Sequence, residues 1–220
     1  MSESRDHLHP LQSKKPPVPD VIGEPRRRWR GTWWREPVPH IGRYAGSVAD
    51  MPVEVVEYDP AWQHEFAEQG DRLNIPLRGW LCEPVEHVGS TAVPGLASKP
   101  IVDILAPVTS LTDARGAVSI LQQDGWLHWP ADPNKSWRLW FLRPQPGART
   151  HHLYLIQYDD PHVGELRMFR DALRADDALR DRYEALKRRL AKEFRDDREA
   201  YTDAKADFID NTVACGRTRE

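Results

Sequence analysis

From Val53 onward the chain moves between two apolar rhythms. VEVVEYDP alternates apolar and polar positions before turn residues, the two-residue period of an extended segment. In AWQHEFAEQGDRLNIPL, residues 61–77, Trp62, Phe66 and Leu73 fall near helical spacing. PVEHVGS (84–90) reads as a short strand entering a turn, and IVDILAPV (101–108) as a buried strand. LTDARGAVSILQQDGW predicts a helix carrying Ala117, Ile120 and Leu121, with Thr112 as its cap. SWRLWFLRP and RTHHLYLIQY are two strand-like runs joined by QPGA, a hairpin. Further on, Leu179, Tyr183, Leu186 and Leu190 form one apolar stripe opposite a dense charged face, and another helix holds Tyr201, Phe208 and Val213. Helix, strand, turn, strand, helix, hairpin, helices: this order predicts an α+β or α/β domain with a small mixed sheet packed by helices.

The first 50 residues follow neither rhythm. They are rich in proline, poor in branched aliphatics, and contain the cluster PRRRWRGTWWREP. Nine Lys and Arg stand here against six Asp and Glu, a slightly basic segment in a chain of net charge -3. The expected organisation is therefore an extension over residues 1–50 and one domain over 51–216. The extension reads either as a leader whose tryptophans pack on the domain, or as a lid or nucleic-acid arm in which Arg and Trp stack on bases.

Composition narrows the classes of function. With 40% apolar and 30% charged residues, a folded core and a solvated surface are both expected. The balanced charge gives no global field to draw nucleic acid or a membrane surface. No apolar run approaches the roughly 20 residues of a spanning helix, and the amino terminus lacks the apolar core of a secretory signal. Cys82 and Cys215 are too few for a disulfide framework or a thiolate zinc site. A cytoplasmic protein is expected, and the charged late helices suggest a monomer.

The candidate chemistry lies in HVGSTAVPGLASKPIVDILAPV, residues 87–108. Gly89 lets the backbone approach an anion closely, and free N–H groups with the Ser90 and Thr91 hydroxyls can hold phosphate oxygens. Lys99 adds positive charge. The pattern is not a Walker A loop, which needs Gly-Lys-Ser/Thr entering a helix. Asp103, alone in an apolar strand, is the residue to hold Mg²⁺ beside substrate phosphates. The competing reading is an ordinary β-turn, with Asp103 bonded to backbone N–H groups at a strand end.

Residues 87–108 resemble the hallmark run of the GrpB family, EHxGST…PGL…KPxxD. VEVVEYDPAWQHEF, RTHHLYLIQ, MFRDALRADDALRDRYEALKRRLA and YTDAKADFI resemble its other blocks, in the family's order, from about Val53 to Ala214. The resemblance implies a nucleotidyltransferase-like fold, α+β, with a small mixed sheet and carboxy-terminal helices. It further implies that the Gly-Ser turn holds a triphosphate and that Asp103 ligates metal. Where the wider superfamily has a second acid, two residues on and on the same strand face, this chain has Leu105. Tyr154 stands in place of the second His of the family's His-x-His face. His152 reads either as an acid, a base, a hydrogen-bond donor to phosphate, or a metal ligand in place of the missing acid, or as a half-buried strand histidine bonded to a neighbour. Glu86 is the remaining carboxylate near the turn.

Arg170, Lys187 and Lys205 match basic positions of the family on the late helices. Each reads either as a phosphate contact or as a solvated helix partner. His87 alternates away from Glu86 and is expected to be structural, and Tyr183 to be core. The tryptophans from Trp126 to Trp140 form either an aromatic wall for a ligand ring or the packing of the hairpin. Two functions are implied: a Mg²⁺-dependent enzyme transferring a nucleotidyl group from a nucleoside triphosphate, or a non-catalytic domain of the same fold that binds a nucleotide, another phosphorylated small molecule or a partner.

Overall fold

The computed structural model describes residues 52–143 and 149–218. Residues 1–50, with their Arg/Trp cluster, and the QPGA turn lie outside the described residues. Five strands form one mixed sheet: β1 (Glu86–Val88), β2 (Val102–Val108), β3 (Leu127–His128), β4 (Arg138–Arg143) and β5 (His151–Gln157), in the order β1-β2-β5-β4-β3. β2 runs parallel to β5 and antiparallel to β1; β4 runs antiparallel to β5 and β3. The helices are α1 (Ala61–Leu77), α2 (Ala117–Gln123), α3 (Pro161–Ala175), α4 (Asp177–Glu193), α5 (Arg198–Asp203) and α6 (Ala206–Arg217).

β2 is an interior strand covered on both faces, which explains why its sequence does not alternate. Val102, Ile104, Ala106 and Val108 face α1 and α2, against Trp62, Leu73, Leu77, Ala117 and Leu121. Leu105, on the other face, packs with Val88, Ile156, Val163 and Leu166, so α3 lies over it. Fully burying each such Val, Leu or Ile contributes about 1.5–3 kcal/mol. A carboxylate in the same strand is destabilising unless it is partnered. Beyond α3, Phe169 and Leu173 join Tyr183, Ile209 and Val213 to the turn residues Val93 and Leu96 in a second core.

Aspartates start three of the helices. Asp160, followed by Pro161, accepts from the His162 N–H; Asp176 caps α4 through Leu179 and Asp197 caps α5 through Ala200. Two local expectations change. Thr112 has helical backbone angles and caps nothing; the Ser110 hydroxyl accepts from the Asp113 N–H instead. Ile120 is 39% exposed, whereas Ala117 and Leu121 are buried. The VEVVEYDP segment makes a single antiparallel bridge, Val56 to Ser98, through two 2.9 Å hydrogen bonds. It serves as a tether for the 97–99 loop rather than as a sheet strand. Among the described residues no helix is long and apolar enough to cross a membrane.

Candidate functional site

Antiparallel pairing sets Val88 opposite Asp103, so the turn that follows β1 falls beside the Asp103 side chain. Gly89 has φ 71° and ψ -169°, a region essentially closed to other residues, and a Cβ there would lie 2.4 Å from Asp103 Oδ2. The glycine is thus required twice, by its backbone and by the carboxylate packed on it. Residues 90–92 form a 3₁₀ turn. Thr91, buried, donates its hydroxyl to the Ile101 carbonyl and meets His87 Nε2 at 3.0 Å; it fastens the turn rather than facing a ligand. His87 also meets Gln63 and stacks on Phe66, and burial pushes its imidazole down to about 4.

Parallel pairing of β2 with β5 places His152 opposite Asp103. Asp103 Oδ1 accepts from the Tyr154 hydroxyl at 2.9 Å and lies 3.0 Å from His152 Nδ1. Burial opposes ionisation of Asp103, but these two partners and the charge on Lys99 outweigh it and hold the carboxyl below its usual range. Burial also lowers the His152 imidazole, to about 4 despite Asp103. An ionised carboxylate can only accept, so neutral His152 carries its proton on Nδ1 and presents a lone pair at Nε2. That nitrogen is buried without a hydrogen-bond partner.

The carboxy-terminal helices bring cations to the same corner. Lys99 Nζ lies 4.8 Å and Lys205 Nζ 4.2 Å from the centre of the Tyr201 ring. Neither lysine has a carboxylate within ion-pair distance among the described residues, yet both feel Asp103 electrostatically. Burial, reinforced by Lys205, Arg198 and Arg149, puts the Lys99 ammonium well below its usual range. Burial lowers Lys205 to about 8, with Asp103 opposing and Arg198 adding to the shift. Ser90 reaches the Tyr183 phenol, whose ring stacks on Phe208. Asp103, Gly89, Ser90, Lys99, Lys205 and His152 are therefore gathered in one place.

The other predicted residues are engaged elsewhere. Glu86 shares the sheet face of Asp103, one pair further along, but receives Arg167 Nε at 2.8 Å and Arg170 Nη1 at 2.9 Å. Arg170 also donates to the His87 carbonyl and to Asp171, so it locks α3 to β1. Lys187 is 2% exposed and donates to the Ala97 carbonyl and Ser98 Oγ, while Glu184 accepts from the Ala97 N–H. This helical pair grips the loop that carries Lys99. Trp126, Trp129 and Trp140 are buried at 2–5% exposure, and Trp137 stacks on His162 at 3.8 Å, so the hairpin tryptophans pack the protein. Tyr154 and Tyr201 are site residues that the sequence reading did not propose as such. The one available signal was Tyr154, on the His152 face of its strand.

The donor set fits Mg²⁺ poorly. Leu105, at the position of a second acid, is fully buried in the core under α3. Glu86 is satisfied by two arginines, and two ammonium groups act on Asp103's surroundings. Among the described residues no three His, Cys, Asp or Glu side chains gather as a metal-ligand group. Mg²⁺ needs near-octahedral oxygen ligation, and one already hydrogen-bonded carboxylate supplies little of it.

A five-stranded mixed sheet with a Gly-Ser turn, a single strand acid and a lysine-bearing carboxy-terminal helical layer defines an α+β protein of nucleotidyltransferase-like type. Residues 52–214 match the family described as "GrpB protein", and the chain belongs to that family. It is similar to a UPF0157 protein of Pseudomonas aeruginosa, 36% identical over 175 residues, covering 76% of this chain and 69% of the relative. The crystal structure of conserved protein GrpB from Enterococcus faecalis has TM-score 0.69 at 30% identity, covering 76% of this chain and 98% of that one. A dephospho-CoA kinase of Mycolicibacterium paratuberculosis is 37% identical over 82 residues, covering 36% of this chain and 20% of the kinase.

Proposed function

We propose that the chain binds a phosphorylated small molecule, nucleoside triphosphates among the candidates, at the corner formed by Gly89, Ser90, Lys99, Asp103 and Lys205. The observation that carries this reading is the convergence of Lys99 and Lys205 on one tyrosine ring beside a single carboxylate. Two half-buried ammonium groups facing one acid leave positive charge for an anion to neutralise. The Gly89–Ser90 turn offers the backbone approach and hydroxyl that phosphate oxygens use. The family resemblance and the partial likeness to a dephospho-CoA kinase add a nucleotide-bearing ligand to the candidates. Two exposed free cysteines suit a reducing, cytoplasmic setting.

Calorimetric titration with ATP, GTP, CTP, UTP and dephospho-coenzyme A, each with and without Mg²⁺, tests the reading. Saturable binding that weakens at least tenfold in Lys205→Met supports it. No binding of any of them sinks it.

A second reading, nucleotidyl transfer, draws on Asp103, which is held ionised next to the phosphate turn. It requires that a bound triphosphate release pyrophosphate when an acceptor is supplied. A folded Asp103→Asn variant that turned over as fast as the wild type would remove Asp103 from that chemistry.

A further inference from the structure

Resting on the phosphate-ligand reading, we propose that this site holds its ligand without a divalent ion, Lys99 and Lys205 supplying the positive charge that a metal would bring. Three geometric facts lead there. First, the carboxylate is half engaged: Oδ1 of Asp103 takes the Tyr154 hydroxyl and His152 Nδ1, which leaves Oδ2, lying against Gly89, as the one acid oxygen at the corner without a hydrogen-bond donor among the described residues. Second, neither neighbouring position on that sheet face can add an acid ligand. Leu105 is sealed in the core, and the two oxygens of Glu86 are claimed by Arg167 and Arg170 from α3. Third, the cations are built in and held in place from several directions.

The anchoring of Lys99 shows how fixed this arrangement is. Its loop is bridged to Val56 through Ser98, gripped from α4 by Lys187 and Glu184, and closed at Ile101 by Thr91. Lys205 stands at the start of α6, and the Tyr201 ring of α5 is shared by both ammonium groups. A divalent ion placed at Asp103 would enter this field against two like charges, whereas a phosphate group meets opposite charges already in position. Preorganised lysines need no metal to neutralise a phosphate.

The experiment uses the full chain and two probes, inorganic pyrophosphate and ATP. Dissociation constants are measured by calorimetry in EDTA and again with excess Mg²⁺ at constant ionic strength. Affinity in EDTA equal to or higher than that in Mg²⁺ is expected, higher by about tenfold for ATP because the ion competes for the same phosphates. Lys99→Met and Lys205→Met should each weaken metal-free binding about tenfold or more, and Lys192→Met on the exposed face of α4 should not. Should either methionine variant fail to fold, Lys205→Arg must retain metal-free binding through its charge. Binding that appears or tightens only with Mg²⁺ overturns the metal-free site and leaves the phosphate reading standing. No binding of either probe in either buffer removes both.

Discussion

Gly89 and Asp103 are fitted to each other: a methyl group on the glycine would lie 2.4 Å from the carboxylate oxygen. This contact makes the turn and the strand acid one unit, although fourteen positions separate them in the chain. Gly89→Ala should lower stability by about 1–3 kcal/mol from backbone strain alone. It should also push Asp103 away from His152 and Tyr154, so ligand affinity falls with it. Urea unfolding and calorimetry on the same preparation check both; unchanged stability would show that the turn relaxes freely.

His87 gives the fold an acid-sensitive fastening. Burial lowers its imidazole from the ordinary 6.5 to about 4, so between these values the unfolded chain binds the extra proton. Stability contributed by neutral His87 is therefore complete above about pH 6.5 and is lost as pH falls through about 4. The full effect is on the order of 3 kcal/mol. Denaturation midpoints from pH 8 to 4 should fall over this window, and His87→Asn should flatten the profile. An equal slope in the variant would assign the effect to other groups, His152 foremost.

Lys205 predicts a basic limb in binding. Its ammonium, lowered by burial and Arg198 and partly restored by Asp103, loses its proton near pH 8 in the free protein. Lys99 and the Tyr201 phenol face it, and the phenol, pushed above its usual range by burial, stays neutral there. Affinity for a phosphate ligand should decline as pH rises through about 8, by up to about tenfold per unit. Lys205→Arg, which stays protonated, should remove the Lys205 part of the decline and leave only what Lys99, also lowered by burial, contributes. A profile that is flat in the wild type from pH 7 to 9.5 would contradict it.

Glu86 is expected to serve the fold and not the ligand. Glu86→Gln removes the carboxylate that Arg167 and Arg170 share, leaving Arg167 only Glu83 and Arg170 only Asp171 as carboxylate partners among the described residues, and should cost about 1–3 kcal/mol of stability. Ligand affinity should stay within about twofold of the wild type. A large loss of binding in a variant that still melts cooperatively would return Glu86 to the site.

Leu105→Asp restores the acid pattern of the wider superfamily and should fail to create a metal site. The side chain is fully buried among Val88, Ile156, Val163 and Leu166. Replacing it should destabilise the protein by about 3–5 kcal/mol through lost packing and an unpartnered charge. Thermal melts with and without Mg²⁺ decide the matter. A melting temperature raised by Mg²⁺ would mean that the two acids do cooperate.

The features legible in the sequence were those that local pattern controls. The continuous apolar run of β2 announced a strand covered on both faces, and the stripe from Leu179 to Leu190 announced the packed face of α4. Asp103 stood out because a lone acid in such a run demands partners, and Gly89 because a glycine followed by two hydroxyl residues lets the backbone approach an anion. Side-chain allegiance was another matter. Lys99 and Lys205 meet on one ring across 106 positions, while Lys187 and Arg170, alike in type and on equally charged helices, are spent on a loop and on Glu86. Helix periodicity says which face a lysine occupies but not what the neighbouring element offers it. Only the docking of α3 and α4 onto the turn between β1 and β2 decides which cations are consumed as braces and which are left for a ligand.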